Sequence, residues 1–439
     1  MKKLIASVGL AALGASTLHA QYSPGVTAAE LQRPWSVGLS VRGFYDDNYL
    51  TLPNTYKRST YGEEVSPSAS MNYTHENTTL TLSYVYDMRY MQDQSTMDQS
   101  HQFNANLKQV FSERFSLQVN ESFVDAQEPT VIDPAITSSP LFTSGDNMHN
   151  DGTISFNAGL TEKLGLQASY ENNLYAYQQT YGDVYNPNDT ALTPSRSALL
   201  DRIQQLGTVD LNYKFMNELT GLVGYSFGNT DYTSPEPISF YSDPAVPGYV
   251  ETFNNPKNYF SKQRDSDSDF FFIGVDEQFG SQVNGSLRVG GQYLNYYHEN
   301  VSDTSPYLDA KLTWTYMQAS YLQGGVTLEH SATDVAGAVG AANEPVLDSE
   351  TTAGYLSINQ QVSGGLSAGA MGQFQHSVFN GGSENGQTEN FFIFGMNLAY
   401  RFNPYFSAEG GYNWNKLVSD ISGRDYTRNV VYIGVRATY

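Results

Sequence analysis

The chain has 439 residues, with 45 Asp and Glu against 23 Lys and Arg, a formal net charge of −22 and no cysteine. Zero cysteine excludes disulfides, thiolate metal centres, a cysteine nucleophile and a lipid-modified N-terminal cysteine, and the acidic balance argues against nucleic acid as a partner. Beyond the first twenty residues no apolar run approaches the roughly 20 residues a membrane-spanning helix needs, whereas a membrane β-barrel needs only alternation.

Met1-Lys2-Lys3, the apolar stretch from Leu4 to Ala15 and the ending Leu18-His19-Ala20 read as a secretory signal peptide cleaved after Ala20. Residues 21–34 then form a short periplasmic segment, and residues 35–439 a single barrel domain. Period-two alternation predicts strands over 35–45, 61–74, 78–91, 100–112, 115–125, 149–160, 164–177, 202–215 and 219–231. It continues over 265–279, 283–298, 305–316, 320–333, 349–362, 366–378, 388–402, 405–417 and 426–439, eighteen strands in all. In the third, Leu80, Leu82, Tyr84, Tyr86, Met88 and Tyr90 make one face and Thr79, Thr81, Ser83, Val85, Asp87 and Arg89 the other, because successive strand side chains point to opposite sides.

Short connections such as His75-Glu76-Asn77 and Asn403-Pro404 take turns with longer ones rich in Pro, Gly, Asn and Asp. That layout is an all-β fold: a transmembrane, antiparallel, up-and-down β-barrel of about 18 strands, with short periplasmic turns, long extracellular loops and both termini on the periplasmic side. Lipid offers no hydrogen-bond partner to an open sheet edge, so the sheet must close. A soluble sandwich would need its apolar faces to meet in one core, which eighteen amphipathic strands in one sheet cannot do. Aromatic residues collect at strand ends, with Phe111, Phe115, Phe215, Trp314, Tyr400 and Phe402 beside short turns and Tyr45, Tyr90, Phe227, Phe271 and Tyr297 toward long loops. These are the interfacial girdles of a barrel.

Charged residues at lumen parity are the pore-lining candidates: Arg42, Asp87, Arg89, Lys108, Glu171, Asp210, Lys214, Asp276, Arg288, Asp309, Lys311, Glu329, Arg401, Glu409 and Arg436. Basic and acidic residues nearly balance in this set, so the excess negative charge falls in the loops and biases the outer mouth toward cations. Asp87 with Arg89, Asp210 with Lys214 and Asp309 with Lys311 are within reach of pairing along their strands. Glu121 falls at lipid parity in mid-strand, which points either to a bulge shifting the register or to a face that meets another protein. The longest loop holds Phe240, Tyr241, Tyr249, Phe253, Tyr259 and Phe260 among prolines, a composition for self-packing into a lid.

Gly365-Leu-Ser367-Ala-Gly369 fits the G-x-S-x-G pattern of a nucleophile elbow, but it enters an alternating strand rather than a strand-to-helix turn. The run Arg264-Asp-Ser-Asp-Ser-Asp269 lacks the Gly and distal Glu of a calcium loop and reads as a solvated rim. No catalytic residue, metal or cofactor is expected.

The last strand ends Tyr432-Ile-Gly434-Val-Arg-Ala-Thr-Tyr439, which resembles the C-terminal signal read by the assembly machinery of Gram-negative outer-membrane barrels, with Tyr432, Gly434 and Tyr439 as its marks. With Tyr412-Asn-Trp414-Asn and the segment from Gly423 to Asn429, this ending resembles the “putative β-barrel porin” family of Gram-negative outer membranes. The resemblance implies an integral outer-membrane barrel of channel function, some of whose relatives accompany exopolysaccharide export. The leading expectation is passive diffusion of small hydrophilic solutes or ions. The alternatives are a barrel component of exopolysaccharide export or surface assembly and, less favoured, a rim lipid hydrolase. Expected partners are outer-membrane lipid and lipopolysaccharide, the barrel assembly machinery and small hydrophilic solutes, with a homo-oligomer compatible and nucleic acid excluded.

Overall fold

The computed structural model describes residue 26 and residues 28–93, 95–126, 147–184, 193–241, 253–279, 282–336 and 344–439. The leader, Ala20 and Tyr249 lie outside the described residues. Strands β1 (Trp35–Asp46), β2 (Thr60–His75), β3 (Thr78–Met91), β4 (Thr96–Val110), β5 (Phe115–Ala126), β6 (Asn147–Gly159), β7 (Leu164–Tyr177), β8 (Arg202–Lys214) and β9 (Leu219–Tyr232) form the first half of one sheet. After a small ribbon, β10 (Pro237–Ser239) with β11 (Tyr259–Phe260), the sheet resumes. Its second half is β12 (Ser266–Phe279), β13 (Val283–Tyr296), β14 (Val301–Met317), β15 (Ser320–Ser331), β16 (Asp348–Gln361), β17 (Leu366–Asn380), β18 (Thr388–Asn403), β19 (Phe406–Ser419) and β20 (Tyr426–Thr438).

Every barrel strand pairs antiparallel with its sequence neighbours, β9 pairs with β12, and β1 pairs with both β2 and β20. The barrel of eighteen strands is therefore closed, and no edge remains to be satisfied. Val37 and Tyr439 exchange two backbone hydrogen bonds of 3.0 and 2.8 Å, tying the two chain ends together at the short-turn rim. All eighteen expected strands are present with ends within four residues of the expected ones.

Parity decides which side each residue meets. On β1, Val37, Leu39, Val41 and Tyr45 are exposed on the outer belt while Ser36, Ser40, Arg42, Phe44 and Asp46 are buried inward, and on β20 Val431, Ile433 and Val435 face out. At the periplasmic rim Phe111, Phe115, Phe215, Trp314, Tyr400 and Phe402 are all exposed, as are Tyr45, Tyr90, Phe227, Phe271 and Tyr297 toward the loops. Glu121 pairs in register with Ala105 of β4 and Gly152 of β6, with no bulge in either ladder. Its outward position is therefore real, and the bulge alternative falls.

Candidate functional site

The interior has two unlike walls. Along β1, β2, β19 and β20 the charges neutralise one another. Arg42 Nε donates to Glu409 at 2.6 Å, its Nη1 lies 3.5 Å from Glu64, and its guanidinium sits 4.6 Å from the centre of the Tyr432 ring. Gly434 makes room for this, since a Cβ there would stand 2.6 Å from Arg42 Cγ. Asp87 accepts from Ser66, and Arg89 lies 4.1 Å over the Phe44 ring.

The same wall is lined with small inward serines, Ser36, Ser40, Ser66, Ser68 and Ser70. They leave space for the segment before β1, whose short helix Ala28–Leu31 lies inside the periplasmic mouth. Glu30 accepts from Arg436 at 2.8 Å, Asn72 donates to Leu31 O at 2.8 Å, and Val26 and Leu31 pack on Val85. Arg436 therefore faces inward, as expected from parity, but beneath this segment. Toward the outer mouth, Arg428 closes on Asp46 with an Nε to oxygen distance of 2.9 Å.

The opposite wall, from β7 to β15, is acid-rich. Arg288 pairs with Asp276 at 3.3 Å and Lys311 with Asp309 at 3.2 Å. Among the described residues Glu171, Asp210 and Glu329 have no ion-pair partner; Glu171 accepts only from Asn173, at 2.7 Å. Asp210 does not pair with Lys214, which turns toward the periplasmic end of β8 opposite Thr220. The groups form one electrostatic cluster: Glu171 is within reach of Lys311, and Glu329 of Asp309, Glu171 and Lys311. Lys108 sits inward on β4 between Thr79 and Gln118, and Arg401 is at the periplasmic rim, donating to Gly364 O at 3.3 Å.

Above this wall the extracellular loops fold on one another. Ala198, Leu199, Leu200 and Ile238 form a buried cluster with Tyr177 and Tyr259 around it, and Tyr181 packs its ring 4.4 Å from Phe253. Ser195 caps the helix Arg196–Leu200 by accepting from Ala198 N at 2.9 Å, and its hydroxyl donates to Glu236. Arg264, read from sequence as part of a solvated rim, is fully buried instead. Its guanidinium donates to four carbonyls: Val346 at 2.8 Å, Leu199 at 3.2 Å, Thr333 at 3.1 Å and Val335 at 2.6 Å. A planar fork with five donors suits such a hub. Burial pulls the Arg264 pKa below its ordinary value, yet a guanidinium stays protonated. Arg424 holds a second junction to Asp334 (2.9 Å) and Glu389; burial opposes its charge, but the two carboxylates outweigh that and raise its pKa.

His330 is a half-buried histidine at the outer end of β15. It fills the outer gap where β14 and β15 stop pairing above Leu308 and Leu328, with Nδ1 3.1 Å from Asp348. Ser367 lies in regular strand, paired with Gln361 and Ala399, so no nucleophile elbow forms. Among the described residues no group of His, Cys, Asp or Glu could hold a metal ion.

The family described as “Putative beta-barrel porin 2” matches residues 238–439. By sequence, that part of the barrel is similar to a porin family. The matched stretch, just under half of the chain, contains nine of the eighteen barrel strands, β12 to β20, and with them the chain's last residues from Tyr432 to Tyr439. Tyr439 faces outward with its ring 5.7 Å from Trp35. Solved structures that the chain resembles include Pseudomonas aeruginosa OpdL, at 10% identity and TM-score 0.40 over 92% of this chain and 98% of that one. P. aeruginosa OccK2 (OpdF) in complex with glucuronate is at 11%, 0.42, 92% and 98%, and a loop-deletion mutant of Vibrio cholerae OmpT at 12%, 0.32, 93% and 100%. No curated protein matches the sequence. A closed barrel whose C-terminal stretch matches a porin family is an integral outer-membrane protein.

Proposed function

We propose that the chain is an outer-membrane porin through which small hydrophilic solutes diffuse passively, cations in preference to anions. The observation that carries the reading is the asymmetry of the interior: one wall is neutralised by Arg42, Arg428 and Arg436, while on the other Arg288 and Lys311 are closed on Asp276 and Asp309 and the further carboxylates Glu171, Asp210 and Glu329 make no ion pair among the described residues. Carboxylates outside ion pairs, between low-dielectric walls, raise the local cation concentration. A porin family and fold suggest a channel without catalysis, and we assign it no reaction, cofactor or metal.

On this reading a leader of residues 1–20 directs export, residues 21–34 reach the periplasmic mouth and residues 35–439 form the pore. Lipid and lipopolysaccharide cover the outer belt, and the assembly machinery reads Tyr432, Gly434 and Tyr439. The test is single-channel conductance of the leader-free protein in a planar bilayer with the reversal potential taken under a KCl gradient. Stable steps with cation preference, reduced in Glu171→Gln/Glu329→Gln, are expected. Silence from a fully folded barrel, or anion preference, overturns the reading in favour of a component of polymer export or surface assembly.

A further inference from the structure

The outward carboxylate of Glu121 has no task in diffusion, and it lies where lipid offers it nothing. It stands six residues along β5 from Phe115, whose exposed ring belongs to the periplasmic girdle. At about 3.3 Å per residue on a strand tilted roughly 40°, that is about 15 Å into an apolar band about 25 Å tall. A carboxylate at that depth is costly to a single barrel.

Across the sheet its row continues through Gly152 of β6 to Asn172 of β7. Asn172 shares the outward parity of Tyr170, which is exposed. Among the described residues neither the Glu121 carboxylate nor the Asn172 amide has a hydrogen-bond or ion-pair partner. Gly152 leaves a depression between them. A Cβ added there would stand 2.9 Å from Glu121 Oε2, so the carboxylate leans over β6 toward the amide without bonding to it. Next to this polar row the exposed Ile154 and Tyr170 keep the face apolar.

We propose that this face, centred on β6, is the contact between two copies of the chain. Both copies insert with their loops outward, so a two-fold axis relating them runs along the membrane normal. An axis beside Gly152 brings Glu121 of one protomer opposite the partner's Asn172, and Asn172 opposite the partner's Glu121, because the two residues flank β6 on either side. The face is therefore complementary to itself, as an isologous contact requires. Each amide donates to a carboxylate across the axis, and the glycine at the centre lets the backbones approach closely. Lipid would leave all four groups without a partner. A ring of three or more would need donor and acceptor on separate faces, whereas here they share one. The contact does not depend on conduction.

The chain has no cysteine, so single introduced cysteines report on the axis without background. In the leader-free protein reconstituted in phospholipid vesicles, Ile154→Cys, two residues from Gly152 on the same face, should form a disulfide-linked dimer on mild oxidation. Leu356→Cys, exposed on β16 at the far side of the barrel, should stay monomeric. Added to Ile154→Cys, Glu121→Leu and Asn172→Leu should each slow cross-linking at least tenfold, while Glu121→Gln, which keeps an acceptor for the amide, should retain it. Leucine suits the lipid face, and heat-modifiability shows that each variant is folded. Absence of the Ile154→Cys dimer, equal cross-linking at Leu356→Cys, or indifference to both leucine variants overturns the interface. In intact outer membranes the same oxidation should give the same dimer, and capture of a different polypeptide in its place overturns the second copy as occupant.

Discussion

Replacing Arg264 by Met keeps most of the side-chain volume and removes every donor, so the carbonyls of Leu199, Thr333, Val335 and Val346 lose their partner together. A buried polar group left without a partner costs about 1–3 kcal/mol. Four at the middle of that range come to about 8 kcal/mol, and relief from burying a guanidinium returns about 5 kcal/mol of that. The net, about 3 kcal/mol, is roughly a hundredfold in the population of the open lid. Hydrogen exchange read by mass spectrometry follows it directly. Amides within the lid, such as Asp201 bonded to Ser197 O and Val346 bonded to Ala336 O, should exchange roughly a hundredfold faster, while those of β1 to β9 stay as they were. Arg264→Lys should fall between, since one ammonium cannot reach four carbonyls. Unchanged exchange in Arg264→Met, or full protection in Arg264→Lys, refutes the hub.

Glu121→Leu should stabilise the monomeric barrel in detergent by about 1 kcal/mol, because it removes a carboxylate from the lipid face; a lower midpoint in urea would mean that Glu121 is held by a group of its own barrel. Gly434→Val should impair folding, since its Cβ would stand 2.6 Å from Arg42 Cγ and 2.7 Å from Val41 O, and a normal yield of heat-modifiable protein would contradict this. The Thr388 hydroxyl and amide, at 2.8 and 2.9 Å, hold the Asp420 carboxyl below its ordinary pKa. A depressed folded pKa means that its contribution is complete above the ordinary aspartate range and is lost as pH falls through the lower folded value. Thr388 amide exchange at successive pH values should show that loss, and Asp420→Asn should abolish the pH dependence.

The barrel was legible because alternation is repeated in every strand and because turns and loops take strict turns, as β3 and β14 show. Inward parity was legible too: Arg42, Asp210 and Glu329 all face the lumen. What alternation does not encode is pairing across the lumen or between loops. The Arg42 partner is Glu409, 367 positions away, and Asp210 proved to lack the Lys214 partner that strand spacing offered. Arg264 was misread because an Asp-Ser-rich run is solvated in isolation, and only two other loops, converging on it, supply the carbonyls that bury it.

The ion pairs Glu30–Arg436, Arg42–Glu409 and Asp46–Arg428 share a property beyond neutrality, for each joins one of the first fifty residues to one of the last thirty-one. The seam between β1 and β20 cannot close until translation and export are complete, so closure is the last and most entropically demanding step of assembly. A slip of one residue there would turn every side chain of a strand to the wrong side and separate the seam pairs together. The seam thus reads its own register, and a barrel that closes wrongly is left with one charge of each broken pair in lipid and its former partner alone in the lumen, rather than a marginally weaker wall.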